Sequence, residues 1–183
     1  ASSCVQSEIE KLTQTDESIV VHGSFADCPL GFTITFEEKS MRRIGFKVEL
    51  QEQDREESGS SYNLVTLSWA SDPHEAFYGF GAQYSYLNMK GRLLPIWCQE
   101  QGHGRGLEPI TEFTNAASEG SGGDWYTSYT CIPYFLSSND YGMVLEHYEY
   151  IEFDMQNNDY TEAIVHAPEL HGQILYGKNP MEL

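Results

Sequence analysis

The sequence predicts an all-β protein, an antiparallel two-sheet β-sandwich with minimal helix. Three observations lead there. Aromatic residues make up 13% of the 183, with 12 Tyr among them, and aromatic and β-branched side chains suit a pleated, half-buried surface. Several segments alternate apolar and polar residues with period two, which places one set of side chains on one face. Strand-like runs follow one another with almost no helix and no βαβ rhythm, which is the order of an antiparallel sandwich.

The elements read as follows. Residues 7–12 (SEIEKL) predict a short helical turn, because Ser7 and Glu10 stand in capping-box spacing. Residues 19–25 open β-branched and predict a strand. Phe32, Ile34 and Phe36 alternate with Thr33, Thr35 and Glu37, and Ile44, Phe46, Val48 and Leu50 alternate with Arg43, Gly45, Lys47 and Glu49. The second of these runs is the clearest amphipathic strand in the chain. Residues 51–61 are polar, acidic and glycine-containing, the marks of an exposed hairpin loop. Residues 62–69 resume a strand with Val65, Leu67 and Trp69 on one face. Residues 71–130 are less regular and rich in glycine, and long glycine-rich loops in a compact domain tend to carry function. Strands return at 132–136 and at 141–155, the latter as one long strand or two joined by a bend. Within it Ile151, Phe153 and Met155 share a face. Residues 163–167 and 173–176 complete eight or nine strands.

Charge narrows the function classes. Ten Lys+Arg stand against 28 Asp+Glu, a net charge of −18. Such a surface repels nucleic acid and anionic membrane. No run of about 18 apolar residues is present, so no membrane-spanning helix is predicted. The opening ASSCVQSEIEK lacks the basic and apolar regions of an intact signal peptide. Cys4, Cys28, Cys98 and Cys131 show no C-x-x-C spacing, and the six histidines show no H-x-H or H-x-x-x-H spacing, so no metal site is expected. Cys4 and Cys28 form a disulfide if the compartment is oxidising, secreted or lysosomal, and stay as buried thiols otherwise. The run G-H-G-R-G lacks the Lys-Ser/Thr pair of a phosphate cradle. Glu152 and Asp154, about 7 Å apart on one strand face, read as a solvated acidic surface rather than a catalytic pair.

Residues 77–106 carry a resemblance. FYGFGAQYS, LNMKGR and PIWCQEQGHGRG occur in that order, followed by DWYTSYTCIPYFLSSNDYGMVLEHYEYIEFDM. The combination resembles the N-terminal domain of family 31 glycoside hydrolases, the α-glucosidase family, with its F-Y-G-x-G-E, L-N-x-K-G and Y-x-x-x-P…Y-G segments. The run E-Q-G-x-G-R is similar to the sulfoquinovosidase-like subgroup. The resemblance covers about residues 60–183. The family often has an acidic residue where this chain has Ala82, and Cys98 and Cys131 also stand at unexpected places.

The resemblance implies a galactose mutarotase-like sandwich spanning residues 1–183, with a catalytic (β/α)8 barrel expected downstream. Family members cleave α-glycosidic bonds with retention by two Asp side chains on that barrel. This chain therefore has no catalytic residue of its own and is expected to be inactive alone, with no cofactor and no metal. Its expected partners are the barrel of the same parent protein and the carbohydrate substrate. The sandwich of the family sends a loop to the mouth of the active site, and 99–106 and 120–126 are the candidates here. Glu100, Gln101, Arg105 and Trp125 are the substrate-binding candidates, since carboxylate, amide and guanidinium bond sugar hydroxyls and an indole stacks on a sugar face. The alternatives are an interdomain ion pair for Arg105 and a core position for Trp125. A second function class is a stand-alone carbohydrate-binding module, which needs an exposed aromatic platform among Trp69, Trp97 and Trp125. A third is an aldose mutarotase using His147 and Glu149 as acid and base.

Overall fold

The computed structural model describes residues 3–52 and 62–182. The chain forms strands β1 (Ser7–Gln14), β2 (Ser18–Phe25), β3 (Leu30–Ser40), β4 (Arg43–Glu52), β5 (Val65–Ala70), β6 (Phe77–Gly81) and β7 (Leu93–Ile96). The helix α1 (Ile110–Ala117) follows, then β8 (Cys131–Ser137), β9 (Tyr141–Leu145), β10 (Ile151–Asp154), β11 (Tyr160–Val165) and β12 (Glu169–Tyr176). Eight strands make one sheet in the order β1-β2-β3-β4-β12-β9-β8-β6, and four make the other, β5-β11-β10-β7. Every pairing between these strands is antiparallel. The predicted two-sheet sandwich is the observed architecture.

Period two explains which face each strand buries. Phe46 and Val48 of β4 are buried, and Ile34, Phe36 and Leu50 pack against the same core. The small sheet answers with Val65, Ile151, Phe153, Ala163 and Val165, all buried, and with Leu67 and Trp69 at its margin. At the centre is Phe135 of β8. Its ring meets Phe77 at 5.3 Å, Phe80 at 5.5 Å, Phe153 at 5.7 Å, and Trp69 and Tyr141 at 6.0 Å. Aromatic pairs in such geometry are worth about 0.5–1.5 kcal/mol beyond the area they bury.

The predicted helical turn at 7–12 is instead the first part of β1. It pairs with β2 from Ser7↔Phe25 to Gln14↔Ile19, with a bulge between Ile9 and Lys11. A capping box is a local preference of a few residues, whereas β2 offers a whole edge of unpaired main-chain groups. Two further ties hold the segment there. Cys4 and Cys28 are disulfide-bonded with Cα atoms 5.8 Å apart, and the Asp27 carboxylate accepts the N–H groups of Val5 at 2.8 Å and Gln6 at 3.3 Å. These N–H groups, that of Val5 foremost, hold the Asp27 carboxyl below the usual carboxylate range.

Of the hairpin loop predicted at 51–61, Gln51 and Glu52 belong to β4, and 53–61 lie outside the described residues. The run at 141–155 is two strands, and they fall in different sheets: β9 in the large, β10 in the small. The chain crosses the sandwich between them. The glycine-rich middle holds β6, β7 and α1, and with β1 in place of the helical turn the described residues contain twelve strands where eight or nine are predicted.

Candidate functional site

Between β7 and β8 the chain makes an excursion of two loops flanking α1. The loops, 99–106 and 120–126, lie against each other and are joined by main-chain hydrogen bonds. His103 N–H donates to Ser121 O and Arg105 N–H to Gly122 O, each at 2.9 Å. Their contact is closest at Gly102 and Gly123, where φ is +77° and +67°. A Cβ on Gly102 would sit 2.5 Å from the Cα of Gly123. Only glycine permits both that backbone angle and that approach.

Arg105 ties the loops together from within. Its Nη1 donates to the carbonyl of Gln101 at 2.7 Å, to the carbonyl of Thr127, and to Thr127 Oγ1 at 3.2 Å. Its Nη2 donates to the carbonyl of Trp125 at 2.6 Å, and its Nε to Ser85 Oγ at 3.3 Å. Partial burial lowers its pKa from the ordinary value, yet a guanidinium stays charged in a protein. Main-chain carbonyls from three points of the excursion thus converge on one cation. Thr127, itself buried, adds a hydroxyl bond to the Gln101 carbonyl at 2.6 Å.

Trp125 is half-buried. It packs at the edge of the hydrophobic core, edge-on to Tyr86 at 5.6 Å and Tyr126 at 5.5 Å. Glu100 lies at the surface, where its Oε2 accepts the Tyr129 hydroxyl at 2.6 Å. That bond pushes the Tyr129 phenol up. Gln101 contributes its carbonyl to the Arg105 knot. The four sequence candidates therefore share one loop system, but Arg105 and Trp125 shape it while Glu100 faces outward. Ala82 is bound through its main chain, its N–H to Thr130 O at 2.8 Å and its carbonyl from Ser128 Oγ at 2.6 Å.

Beside the excursion is a shallow hollow of about 300 Å³, lined by Pro95, Trp97, Gln99, Tyr126 and Tyr150. Trp97 is 55% exposed and meets Tyr150 edge-on at 5.8 Å. The Tyr150 phenol donates to Glu152 Oε1 at 3.1 Å and is pushed up to about 12, first by burial and then by that carboxylate. Of this group the sequence singles out Trp97 as a possible platform, and Gln99 and Tyr126 stand at the ends of the two candidate loops. Tyr126 and Tyr150 come from separate segments, and no spacing links them.

The other sequence constellations resolve plainly. His147 is enclosed, with Nε2 accepting the His171 N–H at 2.9 Å and Nδ1 facing Glu149 Oε2 at 3.1 Å. Both ring nitrogens are thus engaged, which leaves the His147 and Glu149 pair poorly placed as an acid and base for an open sugar. Among the described residues one group of three metal-ligating side chains occurs, Cys4, Asp27 and Cys28, and its sulfurs are spent in the disulfide. No helix among the described residues is long and apolar enough to cross a membrane.

The apolar surface of the excursion is unusual. In α1 the buried residue is Thr111, while Ile110 and Phe113, three apart and so on one face, are 54% and 76% exposed. Leu107 before the helix is also exposed, as are Tyr84 and Leu87. An amphipathic helix ordinarily turns its apolar stripe to its own core, and this one presents it outward.

Comparison with known proteins follows the same line. Residues 9–154 match the family described as glycosyl hydrolase 31 N-terminal galactose mutarotase-like domain. The sulfoquinovosidase of Escherichia coli (strain K12) is 27% identical over 158 residues, which are 84% of this chain and 22% of that protein. The sulfoquinovosidase of Agrobacterium fabrum is 34% identical over 105 residues, 57% of this chain and 16% of that one. Alpha-xylosidase XylQ of Lactiplantibacillus pentosus is 25% identical over 125 residues, 67% of this chain and 14% of that one. The chain spans about a fifth or less of the length of these relatives. Among solved structures, a GH31 family sulfoquinovosidase from E. rectale superimposes with a TM-score of 0.75 at 23% identity, over 94% of this chain and 24% of that one. The cycloalternan-forming enzyme of Listeria monocytogenes does so at 0.68 and 12%, over 94% and 21%. At such identities these two structures speak for the fold.

Proposed function

The chain belongs to the glycosyl hydrolase 31 N-terminal galactose mutarotase-like domain family, and from that premise we propose that it is the non-catalytic domain of a retaining glycosidase, packed on the catalytic barrel and lending a loop to the substrate pocket. One observation carries this reading, the outward apolar face of Leu107, Ile110 and Phe113. An exposed apolar patch of this kind marks a surface awaiting a partner, and in a protein several times longer than this chain the nearest partner is the barrel. The loop lent to the pocket is 99–106. Glu100 and Gln101 are the residues we assign to sugar hydroxyls, and Arg105 and Trp125 the residues that hold the loop in shape. For the parent enzyme we assign sulfoquinovosides as the substrate class, in place of the α-glucosides suggested by the wider family, since two of its relatives are sulfoquinovosidases.

The test is to produce this chain and the barrel of its parent as two polypeptides. Co-elution in gel filtration, with hydrolysis of an aryl α-sulfoquinovoside that neither piece achieves alone, is the expected result. Separate elution would sink the docking role, and turnover confined to an aryl α-glucoside or α-xyloside would sink the substrate assignment.

A stand-alone carbohydrate-binding module is the second reading, favoured by the exposed Trp97 and the hollow it shares with Tyr126, Tyr150 and Gln99. Saturable binding of a sugar by the chain alone, lost in Trp97→Ala, would replace the first reading with this one.

A further inference from the structure

We propose that Cys98 and Cys131 oxidise to a disulfide that clips the small sheet to the large one at the base of the loop excursion. The two residues are 33 positions apart in sequence, but the fold sets them side by side. Cys98 follows β7, an edge strand of the four-stranded sheet, and Cys131 opens β8 in the eight-stranded sheet. Their main chains are already joined. Cys98 forms a parallel bridge with Ser128, and Gln99 N–H donates to Ser128 O at 2.9 Å. The Cys131 N–H donates to Cys98 Sγ at 3.2 Å, and the Cys131 thiol donates to the Trp97 carbonyl at 3.2 Å. Each sulfur therefore lies against the other residue or its immediate neighbour, the juxtaposition that a disulfide between them requires.

Both thiols are free, Cys98 at the surface and Cys131 half-buried. Burial, and then the neighbouring Cys98 sulfur, push the Cys131 thiol up. This difference in access orders the chemistry. The Cys98 thiolate attacks a small-molecule disulfide, whose S–S bond breaks and releases one thiol, leaving a mixed disulfide on Cys98. The Cys131 sulfur then attacks the Cys98 sulfur and releases the second thiol. Two S–H bonds become one S–S bond, the two protons leave on the released thiols, and the two electrons reduce the small-molecule disulfide. The ring so closed contains residues 99–130, hence both loops, the Arg105 knot and α1. Oxidation would restrict the opening of that whole segment, since a cross-link removes conformations available to the opened chain.

Treatment of the chain with hydroxyethyl disulfide, then denaturation without reductant, alkylation and peptide mass mapping, tests this directly. The expected product joins the Cys98 peptide to the Cys131 peptide, two hydrogens lighter than their sum, with the Cys4–Cys28 bond unchanged. Limited proteolysis within 102–106 should slow several-fold in that form. In Cys131→Ser the mixed disulfide should instead persist on Cys98. Alkylation of both thiols in the unaltered chain, or a lasting mixed disulfide on its Cys98, would overturn the proposal. That readout uses the unaltered chain, so it stands even where the variant folds poorly.

Discussion

Arg105 shows how a single side chain organises the candidate site. Its guanidinium gathers the carbonyls of Gln101, Trp125 and Thr127, and its own backbone takes a left-handed φ of +53°. Removing the cation leaves those carbonyls without a charged donor, and hydrogen bonds to charged groups are worth about 1.5–3 kcal/mol each against a much smaller cost where water replaces them. Arg105→Met is therefore expected to cost about 2–3 kcal/mol and to accelerate amide hydrogen exchange across 99–127 ahead of the sheets. Lysine should rescue only a part, because a point charge cannot reproduce a planar fork. Equal exchange rates in the variant and the parent chain would refute the role. None of this was readable beforehand. The residue type suggested a ligand for sugar, while its partners are main-chain carbonyls, which look the same in every sequence.

Helix α1 sets the question at the scale of an element. Its apolar residues point outward, so replacing them removes little from the chain's own core. Ile110→Ser with Phe113→Ser should change the melting stability of the isolated chain by no more than about 1 kcal/mol, mostly through helix propensity. The same pair should weaken association with the parent's barrel at least about tenfold, measured by titration calorimetry. A large stability loss with unchanged association would place the helix face in this domain's core instead. Legibility in sequence followed burial on one face. β4, β5 and β10 were plain, because each has one dry side and so a period of two. β7 was missed: it is four residues long and contains Pro95, at home on an edge strand where no ladder hydrogen bond is required of it. α1 was missed because its apolar residues serve no internal core and sit among glycines. β1 reads as a helical turn in sequence because a two-residue capping pattern is local and carries no trace of the neighbouring strand that overrides it.

For the molecule as a whole, a charge of −18 sets acidic groups against one another in the compact state, and net charge far from zero destabilises through self-repulsion. Added salt screens such exposed charges, so the melting midpoint should rise between about 0.01 and 0.15 M NaCl, by differential scanning calorimetry. A midpoint that falls would mean that attractive ion pairs, such as Lys47 with Glu49 and Glu169, outweigh the repulsion. The order of the large sheet has a different kind of consequence. β12 lies between β4 and β9, so the last of the strands among the described residues is the one that joins the sheet's two halves. On a ribosome adding about 5–20 residues per second, β1 to β4 emerge early, and Phe46 and Val48 wait for Leu170 and its neighbours to arrive. The nascent chain passes seconds with half a sheet and the β4 edge uncovered, so main-chain groups that the finished sheet pairs stand open during synthesis.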